Sequence, residues 1–182
     1  RINSLLCIDT FASKAKLYQL LNENKALCKK FLPITYIIND DLSFEHLMIS
    51  YDKNKLYILK KNIQRQKGCT ITNNKTYIRE ARKNNYVVCQ ELLTNPFTVD
   101  GHKINLRQYL FVTIIRKKIS FKLFNDGFIY YTPKKYNENS IDKDRHITTG
   151  YIDRKIYDKN PMTVKELKHK IGNNSTIILE NN

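Results

Sequence analysis

Two short stretches hold the residues best suited to chemistry. From Tyr57 to Gly68 the chain reads Y-I-L-K-K-N-I-Q-R-Q-K-G, an apolar run that delivers Lys60 at its end and passes into a basic loop. From Asp100 to Arg107 it reads D-G-H-K-I-N-L-R, a tight turn and then a strand. Residues two apart on a strand point the same way, so Lys103, Asn105 and Arg107 share one face. An ammonium beside a core is costly without an anionic partner. Phosphate would serve Lys60, and a solvated strand end is an equally good reading of the spacing. Arg65, Lys67 and Gly68 add two cations and a glycine that lets backbone N–H groups approach an anion. One glycine does not make a Walker A loop, and a solvated basic turn remains open. Arg107 lies in a run that is otherwise apolar and aromatic, where a buried guanidinium needs a carboxylate or phosphate.

Weaker signals surround these. Gln90, Glu91, Leu92 and Leu93 leave an apolar strand just before Thr94-Asn95-Pro96. They read as a plain strand exit, or as a hinge whose polar groups meet a purine edge. Tyr130 to Tyr136 interleaves tyrosine with lysine, as single-stranded nucleic-acid surfaces do, though a strand followed by a basic loop is the commoner meaning. His146-Ile147-Thr148-Thr149 reads as a turn with a buried histidine, or as hydroxyls placed near phosphate.

The chain has 182 residues and a net charge of +15, from 32 Lys and Arg against 17 Asp and Glu. That length suits one domain or two small lobes, and the composition suits folding rather than disorder. The charge points to an acidic partner, or to a compositional bias toward Lys, Asn, Ile and Tyr. Cys7, Cys28, Cys69 and Cys89 are scattered with no C-x-x-C pair, and the four histidines form no H-x-x-x-H pattern. Zinc is not expected, and the cysteines read as free thiols. No apolar run approaches the ~20 residues of a membrane span. The start at Arg1 and the end after a hydrophobic run suggest part of a longer reading frame.

The elements that must position these residues follow from periodicity. Ser13 is expected to cap a helix to Asn22, and Ile34 to Ile38 to form a strand. A helix from Asp40 or Asp41 to Ser50 should bury Phe44, Leu47 and Met48. Leu56–Lys60 and Tyr86–Gln90 read as strands around a charged helix from Thr76 to Lys83. Asp100-Gly101 marks a turn between Phe97–Val99 and a long strand from Ile104 to Arg116. Ile119–Phe124 and Phe128–Thr132 read as two strands joined at Asn125-Asp126-Gly127. Pro133 to Asp144 reads as a mobile polar loop, and Thr163 caps a last helix to Ile171. The class is α+β, with a mainly antiparallel sheet in the second half.

In this order the motifs resemble the tubulin–tyrosine ligase-like family of ATP-grasp enzymes, which join amino acids to tubulin. Phe31-Leu32-Pro33-Ile34-Thr35-Tyr36 is similar to F-x-P-x-T-Y, and Tyr57-Ile58-Leu59-Lys60 to W-I-x-K. Val87 to Pro96 is similar to V-x-Q-x-Y-I-x-N-P, and Asp100 to Arg107 to D-G-x-K-F-D-L-R. Gly127 to Tyr130 stands where the family has G-x-x-R, and His146 to Thr149 where it has H-L-T-N. Asn105, Tyr130, Thr149 and Lys61 depart from the pattern, in place of an aspartate, an arginine, an asparagine and a proline.

The resemblance implies an ATP-grasp-like α+β fold, with 1–90 as the N-terminal and central part and 91–182 as the C-terminal sheet. It implies ATP with Mg²⁺ and a ligase that phosphorylates a carboxylate before an amine attacks it. Lys60, Arg65, Lys67 and Gly68 would bind phosphate, and Gln90, Glu91, Leu92 and Leu93 would frame the adenine. Asn105 and Thr148 would lie close to the nucleotide. Lys103 and Arg107 would be catalytic, holding phosphate or the acceptor carboxylate. The partners implied are a free amino acid and an acidic protein acceptor, a tubulin tail, in a cytoplasmic and cytoskeletal setting. No metal ligands are assigned. The family's late aspartate and E-x-N pair find no good match, since Glu180-Asn181-Asn182 follows too closely, and the domain is expected to be incomplete at its C-terminus. Two other classes stay open: a non-catalytic binder of nucleotide or acidic tails, and a nucleic-acid module resting on charge and Tyr/Lys interleaving alone. Neither nucleic acid nor a membrane is the expected partner.

Overall fold

The computed structural model describes residues 13–23, 26, 30–63, 68–116, 118–148 and 153–172. The chain divides into two compact units, Arg1–Asn95 with Asn139–Lys143, and Pro96–Glu138 with Asp144–Asn182. Both are built on antiparallel strands with few helices, an α+β architecture.

The first unit carries α1 (Lys14–Asn22), β1 (Thr35–Ile37), α2 (Asp41–Ser50), β2 (Tyr57–Lys61), β3 (Cys69–Thr72), α3 (Lys75–Arg79) and β4 (Tyr86–Glu91). Its four strands lie in the order β1-β4-β2-β3, every pair antiparallel. Alternation then sorts the side chains. Tyr36, Tyr57, Leu59 and Cys89 turn toward one core, which Leu47 of α2, Ile78 of α3 and Ala81 complete. The Asp40 side chain caps α2 by accepting from Ser43 N at 2.7 Å, and Asn74 caps α3 by accepting from Tyr77 N at 3.1 Å. In α2 only Leu47 is fully buried. Phe44 and Met48 pack at its edge, so the expected apolar stripe is narrower than its spacing suggested. The helix expected over Thr76 to Lys83 stops at Arg79, and Asn85 turns the chain into β4 at φ 59°.

The second unit is dominated by β6 (His102–Ile115) and β7 (Lys118–Tyr131), with the short β5 (Thr98–Val99) beside β6. Asp100 and Gly101 at φ 51° and 76° make the expected tight turn. The expected turn at Asn125-Asp126-Gly127 is absent, because β7 runs straight through it and takes up the extra residues as a register shift opposite Gln108 and Leu110. Gly127 is there for close approach. A Cβ on it would sit 2.4 Å from the Arg107 carbonyl oxygen. Val99, Ile129 and Tyr131 form the core with Leu167 of α4 (Val164–Ile171). Thr163 caps α4, accepting from Glu166 N at 3.2 Å, as its sequence implied. The polar loop after β7 is pinned rather than loose: Lys134 N donates to Asp144 O at 2.9 Å, and Tyr136 N to Gly101 O at 2.8 Å.

Beyond the bulge the hairpin lies open to solvent. Leu110, Val112 and Ile114 pair across with Leu123, Phe121 and Ile119, so all six share one face. Leu110 is 57% exposed and Phe121 64%. Among the described residues no helix is long and apolar enough to cross a membrane.

Candidate functional site

The face of the first sheet opposite its main core carries a polar row across three strands. Register places Lys60, Gln90 and Thr35 on that face. The Lys60 ammonium donates to Gln90 Oε1 at 2.6 Å, and Gln90 Nε2 donates to Thr35 Oγ1 at 2.6 Å. Thr35 Oγ1 in turn donates to Pro33 O at 2.7 Å. Ile58, Ile71 and Val88 on the same face are buried, so the row is set in apolar surroundings. Burial holds the Lys60 pKa below the usual lysine value, and the Lys14 ammonium pushes the same way against an opposing contribution from Cys69. Among the described residues no carboxylate pairs with Lys60, and its partner is a neutral amide. A partly dehydrated cation held this way has most of its charge left for an anion. Thr35 also lines a cavity of about 580 Å³ shared with Tyr18, Gln19 and Asn22 of α1.

Lys61 points elsewhere, with its ammonium 5.0 Å from the centre of the Tyr86 ring. Gly68 lies directly against it. A Cβ at Gly68 would come 2.7 Å from Lys61 Cβ, and Lys61 N donates to Gly68 O at 2.7 Å. The glycine therefore lets the two ends of the basic loop close together. Arg65 and Lys67 fall outside the described residues. Glu91 is engaged by Lys55 at 2.8 Å. The backbone N–H groups of Glu91 and Leu92 donate to Ile34 O and Leu56 O, while Leu93 is exposed. Of that stretch, the side chain of Gln90 is the part turned into the polar row.

The second unit offers a separate cationic face. Lys103, Asn105 and Arg107 alternate onto the side of β6 away from the core, as their spacing required. Opposite them, Asn105 pairs with Tyr130 and Arg107 with Phe128. Arg107 is exposed, not buried as its apolar neighbours suggested, because those neighbours turn to the other face or belong to the open end of the hairpin. Its guanidinium carbon lies 4.7 Å from the centre of the Tyr130 ring. Thr148 is half-buried close to His146, which is buried edge-on to Tyr136 with ring centres 5.3 Å apart.

Lys14 and Thr35 join this picture although neither was picked out as a binding residue. Lys14 Nζ donates to Lys61 O at 3.0 Å and Ile63 O at 3.1 Å, clamping the root of the basic loop. A signal existed: lysine in the first turn of a helix opposes the helix dipole and needs carbonyl or anionic company. Cys89 is a core residue whose thiol is pushed up to about 12 by burial. Among the described residues no group of three or more His, Cys, Asp or Glu side chains gathers to hold a metal. Glu180 and Asn182 fall outside the described residues.

Comparison with known proteins gives this arrangement a family. The model of the Tubulin-tyrosine ligase family matches residues 2–177. Tubulin polyglutamylase TTLL6 of Mus musculus is 28% identical over 113 residues, covering 62% of this chain and 13% of that protein. Tubulin polyglutamylase TTLL6 of Homo sapiens is 28% identical over 130 residues, covering 69% of this chain and 14% of the relative. The chain thus spans about a seventh of the length of these curated relatives. It belongs to the tubulin-tyrosine ligase family.

Proposed function

We propose that this member of the tubulin-tyrosine ligase family forms part of an ATP-dependent ligase that adds an amino acid, glutamate by analogy with its named relatives, to an acidic protein acceptor such as tubulin. The observation that carries the reading is the half-buried Lys60 ammonium, held by the neutral amide of Gln90 rather than by a carboxylate. That arrangement fits a phosphate. Lys60 would take a phosphate oxygen of ATP, with Gln90 and Thr35 fixing its direction. Lys14 and Gly68 would hold the root of the basic loop in place. When bound, ATP would supply the phosphoryl group that makes a carboxylate reactive toward an amine. Lys103 and Arg107 would hold an acidic group of the acceptor. Among the described residues no group of three or more His, Cys, Asp or Glu side chains gathers as a ligand set for Mg²⁺. A ligase of this kind would work in the cytoplasm, at the cytoskeleton.

The test is direct. ATP titrated into the purified chain should bind saturably. No saturable ATP binding would overturn the reading.

A further inference from the structure

The cationic face of the second unit holds its arginine in an unusual way. Arg107 faces Phe128 directly across the ladder and Tyr130 diagonally, and its guanidinium rests 4.7 Å from the centre of the Tyr130 ring. An arginine anchored by a carboxylate gives up N–H donors and neutralises its charge. One anchored on a ring keeps its charge, because the ring carries no neutralising group. Among the described residues no carboxylate pairs with Arg107, so its charge stays available to an anion. Asn105 and Lys103 continue the polar line on the same strand face, and Phe128, 43% exposed, sits beside the guanidinium as an apolar shelf.

We propose that Tyr130 is a positioning residue that presents Arg107 edge-on to a glutamyl carboxylate of an acidic peptide, with Phe128 receiving the aliphatic stem. This rests on the ligase reading, and it assigns the acceptor's side chain to this face. A carboxylate matches the fork with two parallel hydrogen bonds. The longer stem of glutamate offers Phe128 more apolar surface than that of aspartate. Tyr130 therefore acts through Arg107, and its ring matters more than its hydroxyl.

The experiment measures binding of a fluorescent oligoglutamate peptide to the purified chain at low salt. Wild type should bind it, and bind oligoaspartate of equal length more weakly. Tyr130→Phe should stay within about twofold of wild type, because the ring face remains. Tyr130→Ala should weaken binding by roughly fivefold, the size of an exposed cation–π contact. In an Arg107→Ala background Tyr130→Ala should change nothing further, since a residue acting through another loses its effect with it. The Arg107 side-chain N–H resonance should also lose its ring-current shift in Tyr130→Ala and keep it in Tyr130→Phe. Equal losses for Phe and Ala would overturn the proposal, as would a full Tyr130→Ala effect without Arg107. Absence of oligoglutamate binding in a wild-type chain that still binds ATP would overturn it too, leaving the ligase reading standing. Loss of ATP binding itself would count against that reading instead.

Discussion

Replacing Lys60 with Met should weaken ATP binding without destabilising the empty protein. The Lys60 ammonium is partly dehydrated, and its pKa is depressed chiefly by burial. At neutral pH the folded state therefore carries the charge at a penalty. Removing a partly buried charge relieves its desolvation cost, on the order of a few kcal/mol. Against this, the substitution orphans Gln90 Oε1, now bonded at 2.6 Å, and an unsatisfied buried acceptor costs about 1–3 kcal/mol. The two effects nearly cancel in the single variant. In Lys60→Met/Gln90→Leu the orphan is removed as well, and Thr35 keeps its donor bond to Pro33 O. That double variant should be more stable than wild type by about 1–3 kcal/mol, a rise of roughly 2–12 °C in melting temperature. Loss of a charge-assisted bond to phosphate is worth about 1.5–3 kcal/mol, so ATP should bind Lys60→Met roughly 10- to 150-fold more weakly. Lys61→Met loses only the contact with Tyr86, and its ATP affinity should change by less than about threefold. The pH dependence has a definite sign. With the Lys60 pKa lowered on folding, the unfolded chain binds more protons between the folded pKa and the usual lysine value. Stability therefore rises with pH through that window and is lost as pH falls through the folded pKa, and Lys60→Met flattens the slope. Calorimetry and thermal melts at several pH values read all three. Equal ATP losses in Lys60→Met and Lys61→Met, or a clear fall in the melting temperature of the double variant, would refute the reasoning.

Gly127→Ala should destabilise the second unit by more than about 3 kcal/mol in urea melts, because its Cβ would meet a backbone oxygen that cannot swing away. Gly68→Ala meets Lys61 Cβ at 2.7 Å, and a milder loss of about 1–3 kcal/mol is expected from the same measurement. Phe121→Ser, on the open apolar face, should leave stability within about 0.5 kcal/mol and reduce concentration-dependent light scattering. The Asp126 pKa is lowered: desolvation opposes its charge, but N–H bonds from Gly127 and Lys165 outweigh it. Its contribution to stability is therefore present above the usual aspartate range and lost as pH falls through the folded pKa. Asp126→Asn should remove that part of the acid-side decline in a pH series of urea melts.

The elements that could be read in the sequence are those whose causes are local. Asp40, Asn74 and Thr163 each accept from a backbone N–H three residues on, so the starts of α2, α3 and α4 lie in or beside the residues that form them. Short apolar runs likewise marked β2 and β4, and spacing by two marked the base of β6. What escaped was fixed by pairing. Cys69–Thr72 has one strongly apolar residue and becomes a strand only because β2 lies alongside it. Asn125-Asp126-Gly127 carries a strong turn signal that the pairing of β6 and β7 overrides. There the glycine meets the Arg107 carbonyl, and Asp126 caps the N-terminal end of α4 through Lys165 N. The turn that does close the hairpin passes through Arg116 at φ 48°, with no glycine or asparagine to announce it.

The candidate sites show the same division one level up. Lys60 and Arg107 stood out because a cation in an apolar run demands an explanation. For Lys60 the sequence offered a phosphate or a solvated strand end, and for Arg107 a carboxylate or a phosphate. The fold holds each with a neutral group instead, the Gln90 amide for Lys60 and the Tyr130 ring for Arg107. Neither pairing is visible in local spacing, since each depends on which residue the register sets across the ladder. The difference is functional. A carboxylate would orient the cation and also neutralise it, and an incoming anion would have to compete. An amide oxygen or a ring face fixes direction and leaves the net charge in place. What the register contributes to both faces is thus orientation without neutralisation, which is the condition under which a structural cation can still bind substrate.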